Sequence, residues 1–457
     1  MKRQSWNEAR GQGCALAAVC ALTGGLPLAG CAGGCPVLEA CDIRRSSCQA
    51  HTAQVATCLT GDTTVRPAVV VVAAASFVEE QIADGGEAES DDERDQRRGL
   101  ALLNMMPAEP DAPELVRDYW ATVGAFYDSD TKAVTILDRG LPLDGAGAVT
   151  TLLHELVHSL QDSREQGSPE AAQDDDDGSM ARSGIVEGEA VLYQDLAQAR
   201  GFGIDPGDVH WDSVFYDYQR SSWSQATAAS AAYVLAWRYF PYAFGGDYVR
   251  DAWTLGGNAA VRELFVQPPT ATRQILAGYG LPPLDAPRPE LTAAWREDPD
   301  AVGSPVLPAQ YEPVTRSHLG SWLFEIFKRR RLGAAPEDLP RGSGLLGDVL
   351  SIFREPATGD VSIFWRLRFD DRATAAAFSA ELGTFPASPE LAHVQYDRDV
   401  VLGASTGEPV SAAFLRSLSW QPVPTASTEA DQTLAEPSLA TPRSALRLRR
   451  LTCPWAH

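Results

Sequence analysis

The sequence predicts an α+β fold with a larger domain, built from a small sheet and a series of helices, and a smaller C-terminal α+β domain. Between Val123 and Leu137, two short runs of β-branched and aromatic residues flank a polar turn, which predicts a β-hairpin. From Val149 to Leu160, apolar residues recur at three- and four-residue steps, which predicts a helix with one buried face. A Pro-rich stretch from Pro282 to Pro313 then precedes a second region of helical and strand-like patterns.

The other elements are predicted from the same two periodicities. Val69 to Ala75 is an apolar run of strand or core-helix length, and Pro113 to Trp120 is predicted to form a helix before the hairpin. From Gly184 to about Leu281 the pattern is mostly helical, including the Ala-rich segment from Ala226 to Trp237. In the C-terminal domain the predicted elements are a helix over Leu319–Arg331, strands over Val349–Phe353 and Val361–Phe369 around a turn, and a helix over Ala373–Leu382.

The predicted helix from Val149 to Leu160 contains the pattern H-E-x-x-H in His154, Glu155 and His158. Residues four apart on a helix lie about 40° apart around the axis, so the two imidazoles project side by side and can bind one zinc ion. Glu155 then flanks the site, where a general base takes a proton from metal-activated water. The alternative is a buried helix with two hydrogen-bonded core histidines, which leaves Glu155 unexplained beside an apolar stripe.

A catalytic zinc site usually has three protein ligands, so a third is expected downstream. The next predicted helix, from Gly184 to Leu196, contains the sequence E-G-E-A from Glu187 onward. An H-E-x-x-H helix followed by a helix with E-G-x-A resembles the gluzincin class of zinc metallopeptidases. The resemblance implies a zincin-like fold for residues 65–281, a peptide or protein substrate, and Glu187 as the third zinc ligand. It also implies that Gly188 and Ala190 are small enough to let two helices approach closely.

The position of this third ligand has an alternative. Glu189 lies on the more apolar stripe of the helix, together with Ile185 and Leu192, so burial by itself favours Glu189 over Glu187. The two carboxylates are about 200° apart on a helix and cannot both face the same ion. Glu189 is therefore an alternative ligand, or a residue that holds a ligand in place.

The same resemblance suggests further candidates around the site. A tyrosine or histidine often stabilises the oxyanion in gluzincins, and Tyr242 or His210 would do so here, the alternative for each being a residue packed in a helical region. The strand that precedes the H-E-x-x-H helix in these enzymes can bind an extended peptide at its edge, although a purely structural hairpin fits the pattern too. Downstream, segments that begin at Phe240, Gly256 and Gln267 resemble a group of prokaryotic surface and lipoprotein metallopeptidases.

The N-terminus resembles a bacterial lipoprotein signal peptide. It starts with Lys2 and Arg3, continues with a moderately apolar stretch from Cys14 to Leu28, and ends in Leu-Ala-Gly-Cys at Cys31. The resemblance implies that Cys31 is lipidated, that the mature chain is anchored to a membrane outside the cytoplasm, and that Ala32 directs it to the outer membrane. An ordinary secretory signal peptide cut nearby is the alternative, and it places the protein on the same side of the membrane.

Four cysteines lie within 24 residues of one another, at Cys35, Cys41, Cys48 and Cys58. A segment of this size cannot hold itself together by apolar burial, so two disulfides are expected outside the cytoplasm. If the segment forms a helical hairpin that turns near residues 44–47, nested bonds join Cys35 to Cys58 and Cys41 to Cys48. A four-cysteine zinc cluster is the alternative, but the segment lacks any C-x-x-C pair.

The formal net charge of −23 argues against nucleic acid as a partner, because the phosphate backbone would be repelled. Acidic residues concentrate at Glu87–Asp95 and at Asp174–Asp177, the latter between the two helices with the zinc ligands. Four consecutive aspartates suit either a calcium site or a solvated loop, and the lack of ordered spacing favours the loop.

These patterns predict a membrane-anchored zinc metallopeptidase that hydrolyses peptide bonds with Glu155 as general base. A non-catalytic metal-binding or structural envelope lipoprotein with the same fold is the alternative. The predicted organisation is a signal peptide over 1–30, a disulfide-stapled segment over 31–64, a metallopeptidase-like domain over 65–281, a linker over 282–313, a C-terminal α+β domain over 314–420 and a disordered tail over 421–457.

Overall fold

The α+β class is confirmed by a computed structural model, which describes residues 34–63, 65–84, 89–109, 112–164, 175–279, 304–333, 339–340, 344–384 and 391–421. The helices are α1 Ser46–Thr60, α2 Ala74–Asp84, α3 Asp91–Leu102, α4 Ala112–Ala121, α5 Ala146–Ser163, α6 Asp176–Gly201, α7 Trp211–Ala228, α8 Ala232–Phe240, α9 Gly246–Val266, α10 Thr272–Ala277, α11 Gly320–Leu332, α12 Arg372–Thr384 and α13 Ala412–Ser417. The strands are β1 Ala68–Ala73, β2 Ala125–Asp128, β3 Ala133–Asp138, β4 Ser304–Pro305, β5 Glu312–Ser317, β6 Leu345–Glu355, β7 Asp360–Phe369, β8 Ala392–Tyr396, β9 Asp399–Ser405 and β10 Trp420–Gln421. A π-helical turn, Pro241–Gly245, joins α8 to α9. The expected signal peptide with Cys31, and the tail from residue 422 onward, lie outside the described residues.

The predicted hairpin belongs to a three-stranded sheet. β2 pairs antiparallel with β3, and β1 pairs parallel with β3, so the strand order is β1-β3-β2. Its turn is closed by Asp128, whose carboxylate accepts the backbone N–H of Asp130 at 2.8 Å. Phe126 packs against Trp120 and Phe77, with ring centroids 5.9 and 5.5 Å away. Because α5 follows β3 and packs against β2, this sheet fixes the helix with the H-E-x-x-H pattern.

α5 buries the apolar stripe that predicts it. The stripe residues are at most 3% exposed and comprise Val149, Leu152, Leu153, Leu156, Val157 and Leu160. Burial of each such side chain stabilises the fold by about 1.5–3 kcal/mol. This gain outweighs the cost of placing the two valines, which have a low helix propensity, in a helix. Although α5 has 18 residues, no helix in the described part of the chain is both long and apolar enough to cross a membrane.

α6 is longer than predicted, because part of the acidic run belongs to the helix. Asp175 is the N-cap, and its carboxylate accepts the backbone N–H of Gly178 at 2.7 Å. Asp176 and Asp177 follow in the first turn, where the helix dipole favours negative charge, and both are buried. The expectation of a solvated loop is therefore wrong for Asp176 and Asp177.

The C-terminal strands form a five-stranded antiparallel sheet in the order β5-β6-β7-β9-β8. In the turn between β6 and β7, Gly359 adopts a φ of 74°, which glycine tolerates without strain. α11 and α12 pack against this sheet, and Phe324 lies 6.1 Å from Trp365 and 5.1 Å from Phe378 between ring centroids. The two strands and two helices predicted for this region are confirmed.

Part of the expected Pro-rich linker forms strands. Ser304–Pro305 pairs with Trp420–Gln421, and Glu312–Ser317 is β5. β5 is an edge strand, where Pro313 is tolerated because its nitrogen need not donate to a ladder, and the register shifts directly after it. Residues 280–303 lie outside the described part of the chain.

The C-terminal sheet and the helical region share buried contacts. The indole of Trp322, in α11, lies 5.2 Å from the ring of Phe240, in α8. The hydroxyl of Ser317, at the end of β5, donates to the carboxylate of Asp176 at 3.0 Å. The first turn of α6 is therefore held partly by the C-terminal region.

Two predicted helical segments differ from the structure. Residues 36–45, all described, are not helical, so the expected helical hairpin is wrong; the Asp42 carboxylate instead binds the backbone N–H of Arg44 in a turn. The Ala-rich segment is interrupted at residues 229–231, between α7 and α8. There the Arg330 guanidinium donates to carbonyl groups at the end of α7 and replaces their helical hydrogen bonds.

One predicted disulfide is confirmed directly. Cys41 and Cys48 form a disulfide with a Cα–Cα distance of 5.7 Å. Cys35 and Cys58 are disulfide-bonded as well. The alternative of a four-cysteine zinc cluster is therefore wrong, because a disulfide sulfur is not available as a thiolate ligand.

Candidate metal centre

His154, His158 and Glu187 meet where α5 packs against α6. The two histidines lie one turn apart on α5, and His154 is fully buried whereas His158 is slightly exposed. Their Nε2 atoms lie 3.2 and 3.3 Å from the same carboxylate oxygen of Glu187. One ligand atom from each residue lies within 4.8 Å of the others, so the group could hold one metal ion.

The second ring nitrogen of each histidine faces an amide oxygen. His154 Nδ1 lies 3.1 Å from Oε1 of Gln194, and His158 Nδ1 lies 2.8 Å from Oε1 of Gln161. An amide oxygen only accepts hydrogen bonds, so each Nδ1 donates a proton, and each Nε2, once deprotonated, can offer a lone pair to a metal. Histidine ligands of metal sites are usually oriented in this way. The donor set and its supporting residues therefore fit a metal ion.

His158 and Glu187 stabilise each other's charges. Burial opposes the charged form of His158, but the neighbouring Glu187 carboxylate outweighs it and raises the pKa of His158 to about 9. Burial also opposes ionisation of Glu187, but the imidazoles of His158 and His154 lower the pKa of Glu187 to about 2. Glu187 is thus a carboxylate at physiological pH, as binding of a cation requires.

Glu189 has other partners. It is fully buried and accepts hydrogen bonds from Arg164 Nη1 and Gln161 Nε2, both at 2.9 Å. Burial raises the pKa of Glu189, although the Arg164 charge opposes that shift. The apolar stripe that favoured Glu189 as a ligand reflects the burial of this ion pair, and the structure places Glu187 beside the histidines.

Gln161 connects the ion pair to the metal-binding group. Its amide oxygen faces His158, and its amide nitrogen donates to Glu189. Arg164 extends the network by binding Asp62 as well as Glu189. The orientation of the His158 imidazole therefore depends on a chain of hydrogen bonds that reaches beyond both helices.

Glu155 lies between the two histidines on α5. It is 1% exposed, and its negative charge is one of the causes that raise the pKa of His158. The residues that could hold a metal ion are His154, His158 and Glu187, and Glu155 lies on the same helix as the two histidines.

Tyr242 contacts the metal-binding group from the π-helical turn. Its ring stacks on the imidazole of His154, with centroids 5.9 Å apart and planes inclined by 18°. It is buried and packs against Val191 and Phe215. His210 is exposed at the start of α7. Among the described residues, no hydrogen bond, ion pair or ring contact joins His210 to His154, His158 or Glu187.

A contact between glycines sets the distance from α6 to the π-helical turn. A Cβ atom at Gly188 would lie 2.5 Å from the carbonyl oxygen of Gly245, and one at Gly245 would overlap the backbone of Gly184. The prediction that Gly188 permits a close approach is therefore confirmed. The approaching segment is the turn that contains Tyr242, so this contact brings Tyr242 to the same side of α6 as the metal-binding group.

Comparison with known proteins adds no relative. No protein-family model, characterised protein or solved structure matches this chain. The resemblance to gluzincins therefore stays a prediction based on the motif residues. The structure itself establishes an α+β fold and three residues that could hold a metal ion.

Gln161 and Gln194 are functional candidates that the sequence prediction does not include. Gln161 lies three residues after His158, and Gln194 lies seven residues after Glu187, so each shares a helix face with a metal-binding residue. This spacing could have predicted that both glutamines lie near the metal-binding residues. Arg164 offers no such signal, because it lies six residues after His158 and does not share a helix face with it.

Proposed function

We propose that this protein is a zinc-dependent metallopeptidase with a zincin-like fold. The observation that supports it most is the grouping of His154, His158 and Glu187, with Glu155 on the same helix as the two histidines. Two imidazoles and one carboxylate form a common ligand set of catalytic zinc, which keeps its fourth position open. Magnesium and calcium prefer oxygen ligands, so the two imidazoles favour a transition metal.

Each residue at the site has its own role in the proposed hydrolysis. Zinc held by the three ligands would polarise the substrate carbonyl and lower the pKa of a water molecule to about 7. Glu155 takes the proton of the attacking water and passes it to the leaving amide nitrogen. Gln194 and Gln161 hold the imidazoles in orientation. We assign stabilisation of the oxyanion to Tyr242, because it contacts His154 whereas His210 does not.

A peptide substrate suits the neighbouring sheet. β2 is the outer strand of its sheet and packs against α5. The outer strand of a sheet can bind an extended peptide through backbone hydrogen bonds, and such binding does not depend on the peptide's sequence. The bound peptide and the metal ion would then both lie beside α5.

We further propose that the mature protein lies outside the cytoplasm, anchored to the outer membrane by a lipid at Cys31. The lipobox-like sequence that ends at Cys31 supports the anchor. The disulfide between Cys41 and Cys48 supports the compartment, because such bonds persist where the environment is oxidising.

Metal analysis and a cleavage assay on the purified chain test the proposed function. The wild type should bind about one zinc ion per chain and cleave members of a diverse peptide library. Glu155→Gln should keep the zinc and lose about 10²–10⁴-fold in kcat/KM, because the general base is removed. Glu80→Gln, at an exposed position of α2, is the matched control and should leave both quantities unchanged.

Zinc binding without any cleavage that depends on Glu155 would favour a non-catalytic metal-binding lipoprotein. A purified chain that binds no metal would rule out both functions.

A further inference from the structure

Two arginines near the metal-binding group donate to backbone carbonyls. Arg238, in α8, is 2% exposed, and Arg139, directly after β3, is partly buried. Arg238 Nη2 donates to the carbonyl of Thr122, and Arg139 Nη2 donates to those of Trp120 and Val123. Both guanidinium groups therefore gather at the carboxyl end of α4.

Both guanidinium groups keep buried donors that these carbonyls do not use. Nε and Nη1 of Arg238, and Nε of Arg139, have no hydrogen-bond acceptor among the described residues. Burial lowers the pKa of Arg139, and the positive charge of Arg238 adds to that shift. The two cations thus repel each other, and a buried charge without a counter-ion is strongly unfavourable. An anion would satisfy the donors and relieve the repulsion.

Arg238 is connected to the metal-binding group by two routes. Its Cζ lies 5.9 Å from the ring centre of Tyr119. Burial raises the pKa of Tyr119, the Arg238 charge opposes that shift, and the Glu187 charge adds to it, so Tyr119 lies near both. Arg238 also precedes Tyr242 by four residues of continuous helical backbone, and Tyr242 stacks on His154. Arg238 is therefore about one helical turn from a side chain that contacts a metal-binding residue.

Capping of α4 accounts for only part of this arrangement. Positive charge is favourable at the carboxyl end of a helix, and the Nη2 atoms meet that need. Capping does not account for the remaining buried donors of Arg238, which are Nε and Nη1. A guanidinium group presents its donors as a planar fork that matches the two oxygens of a carboxylate.

We infer that Arg238 and Arg139 form a subsite for a carboxylate of the peptide substrate, beside the metal-binding group. The inference rests on the proposed peptidase function. The carboxylate has two possible sources, the C-terminus of the peptide or an aspartate or glutamate side chain. The first source makes the protein a carboxypeptidase, and the second gives it a preference for acidic residues near the cleaved bond.

The decisive experiment measures peptide binding to the zinc-loaded Glu155→Gln chain, in which cleavage does not interfere. Three forms of one short peptide are titrated by calorimetry: a free C-terminal carboxylate, a C-terminal amide, and the amide with one glutamate near its end. One carboxylate form should bind about 10–100-fold more tightly than the plain amide, as expected for hydrogen bonds to a charged group. Arg238→Met in the same chain should reduce this preference to about twofold or less, while the plain amide binds as before.

Two further variants keep this experiment interpretable. Arg139→Met changes the more exposed arginine and should also weaken the preference, so it decides the outcome if Arg238→Met fails to fold. Circular dichroism and thermal unfolding identify such a failure. Arg220→Met, at an exposed position of α7, is the matched control and should retain the full preference.

Equal binding of the three peptide forms to the Glu155→Gln chain overturns the inference, and so does a preference that survives in folded Arg238→Met and Arg139→Met. Cleavage by the wild type without any carboxylate preference keeps the peptidase and removes the subsite. A zinc-loaded wild type that shows the arginine-dependent preference but cleaves no peptide keeps the subsite and contradicts the peptidase.

Discussion

Two glutamines hold the imidazoles that would bind the metal. Gln194 faces His154 and Gln161 faces His158, each through its amide oxygen. The Nε2 atoms are therefore left facing Glu187, so the glutamines determine which nitrogen of each ring would bind a metal. The orientation of both imidazoles thus depends on neutral residues that lie outside the H-E-x-x-H pattern.

Gln194→Leu should lower zinc affinity about 10–100-fold, because the His154 ring loses the acceptor that fixes it. Competition with a chromogenic chelator measures the affinity. Gln198→Leu, one turn further along α6 and exposed, is the matched control. An equal effect of both substitutions would contradict the orienting role of Gln194.

The neighbouring carboxylates Glu187 and Glu189 should respond differently to substitution. Glu187→Ala should abolish stoichiometric zinc binding and leave the chain folded, because Glu187 is partly exposed. Glu189→Ala should reduce the free energy of unfolding by about 3 kcal/mol, because the largely buried Arg164 charge loses its most buried partner and keeps Asp62. Zinc analysis and urea unfolding measure the two effects. Loss of zinc from a fully stable Glu189→Ala would return Glu189 to the role of ligand.

At the scale of elements, the packing of α6 on the π-helical turn places Glu187 and Tyr242 beside α5. Gly188 and Gly245 are in direct backbone contact, and the turn follows α8 without a break. The helices themselves arise from local periodicity, but their separation arises from the missing side chains of these two glycines. A sequence with alanine at either position would keep its helices and lose this geometry.

Gly188→Ala should reduce the free energy of unfolding by about 1–3 kcal/mol, because its Cβ would overlap the Gly245 backbone. Chemical denaturation measures the change. Gly147→Ala is the matched control: it lies in the first turn of α5 with open space around it and should stabilise by up to about 1 kcal/mol. A neutral Gly188→Ala would show that α6 can shift without cost.

At the scale of the whole molecule, the first turn of α6 joins the helical region to the C-terminal sheet. The Asp177 carboxylate accepts the backbone N–H and the hydroxyl of Thr272, at 2.7 and 2.6 Å. Asp176 binds Ser317 at the end of β5. The helix that presents Glu187 is therefore anchored at its start by buried contacts on both sides.

Asp177→Ala should cost about 3 kcal/mol in the free energy of unfolding, because buried hydrogen bonds to a charged group are lost. Asp175→Ala removes the N-cap hydrogen bond and should cost about 1 kcal/mol. Urea unfolding compares the two variants, and a double-mutant cycle with Thr272→Val isolates the contact. Equal costs for Asp175→Ala and Asp177→Ala would show that burial does not strengthen this anchor.

Zinc should stabilise the whole chain. At a free concentration of about 100 times its dissociation constant, a ligand that binds only the folded state adds about 2.7 kcal/mol. Thermal unfolding with zinc and with a chelator measures this, and the melting temperature should fall when the metal is removed. A chain with both His154→Ala and His158→Ala should show no response. A response that persists in this variant would locate the metal elsewhere.

The sequence by itself determined the elements that depend on neighbours within one turn or one hairpin. The hairpin, the helix with His154 and His158, and the C-terminal strands β6 and β7 appear where periodicity predicts them. Their signals are local because backbone geometry repeats every two residues in strands and about every 3.6 in helices.

Only the tertiary structure decided how these elements meet. His154 and Gln194 are 40 residues apart, and Arg98 of α3 reaches Gly359 across 261 residues. The choice of Glu187 over Glu189, the burial of Asp176 and Asp177, and the position of Arg238 near the metal-binding group follow from packing between helices. Packing depends on shape and on partners from distant segments, whose proximity no local periodicity encodes.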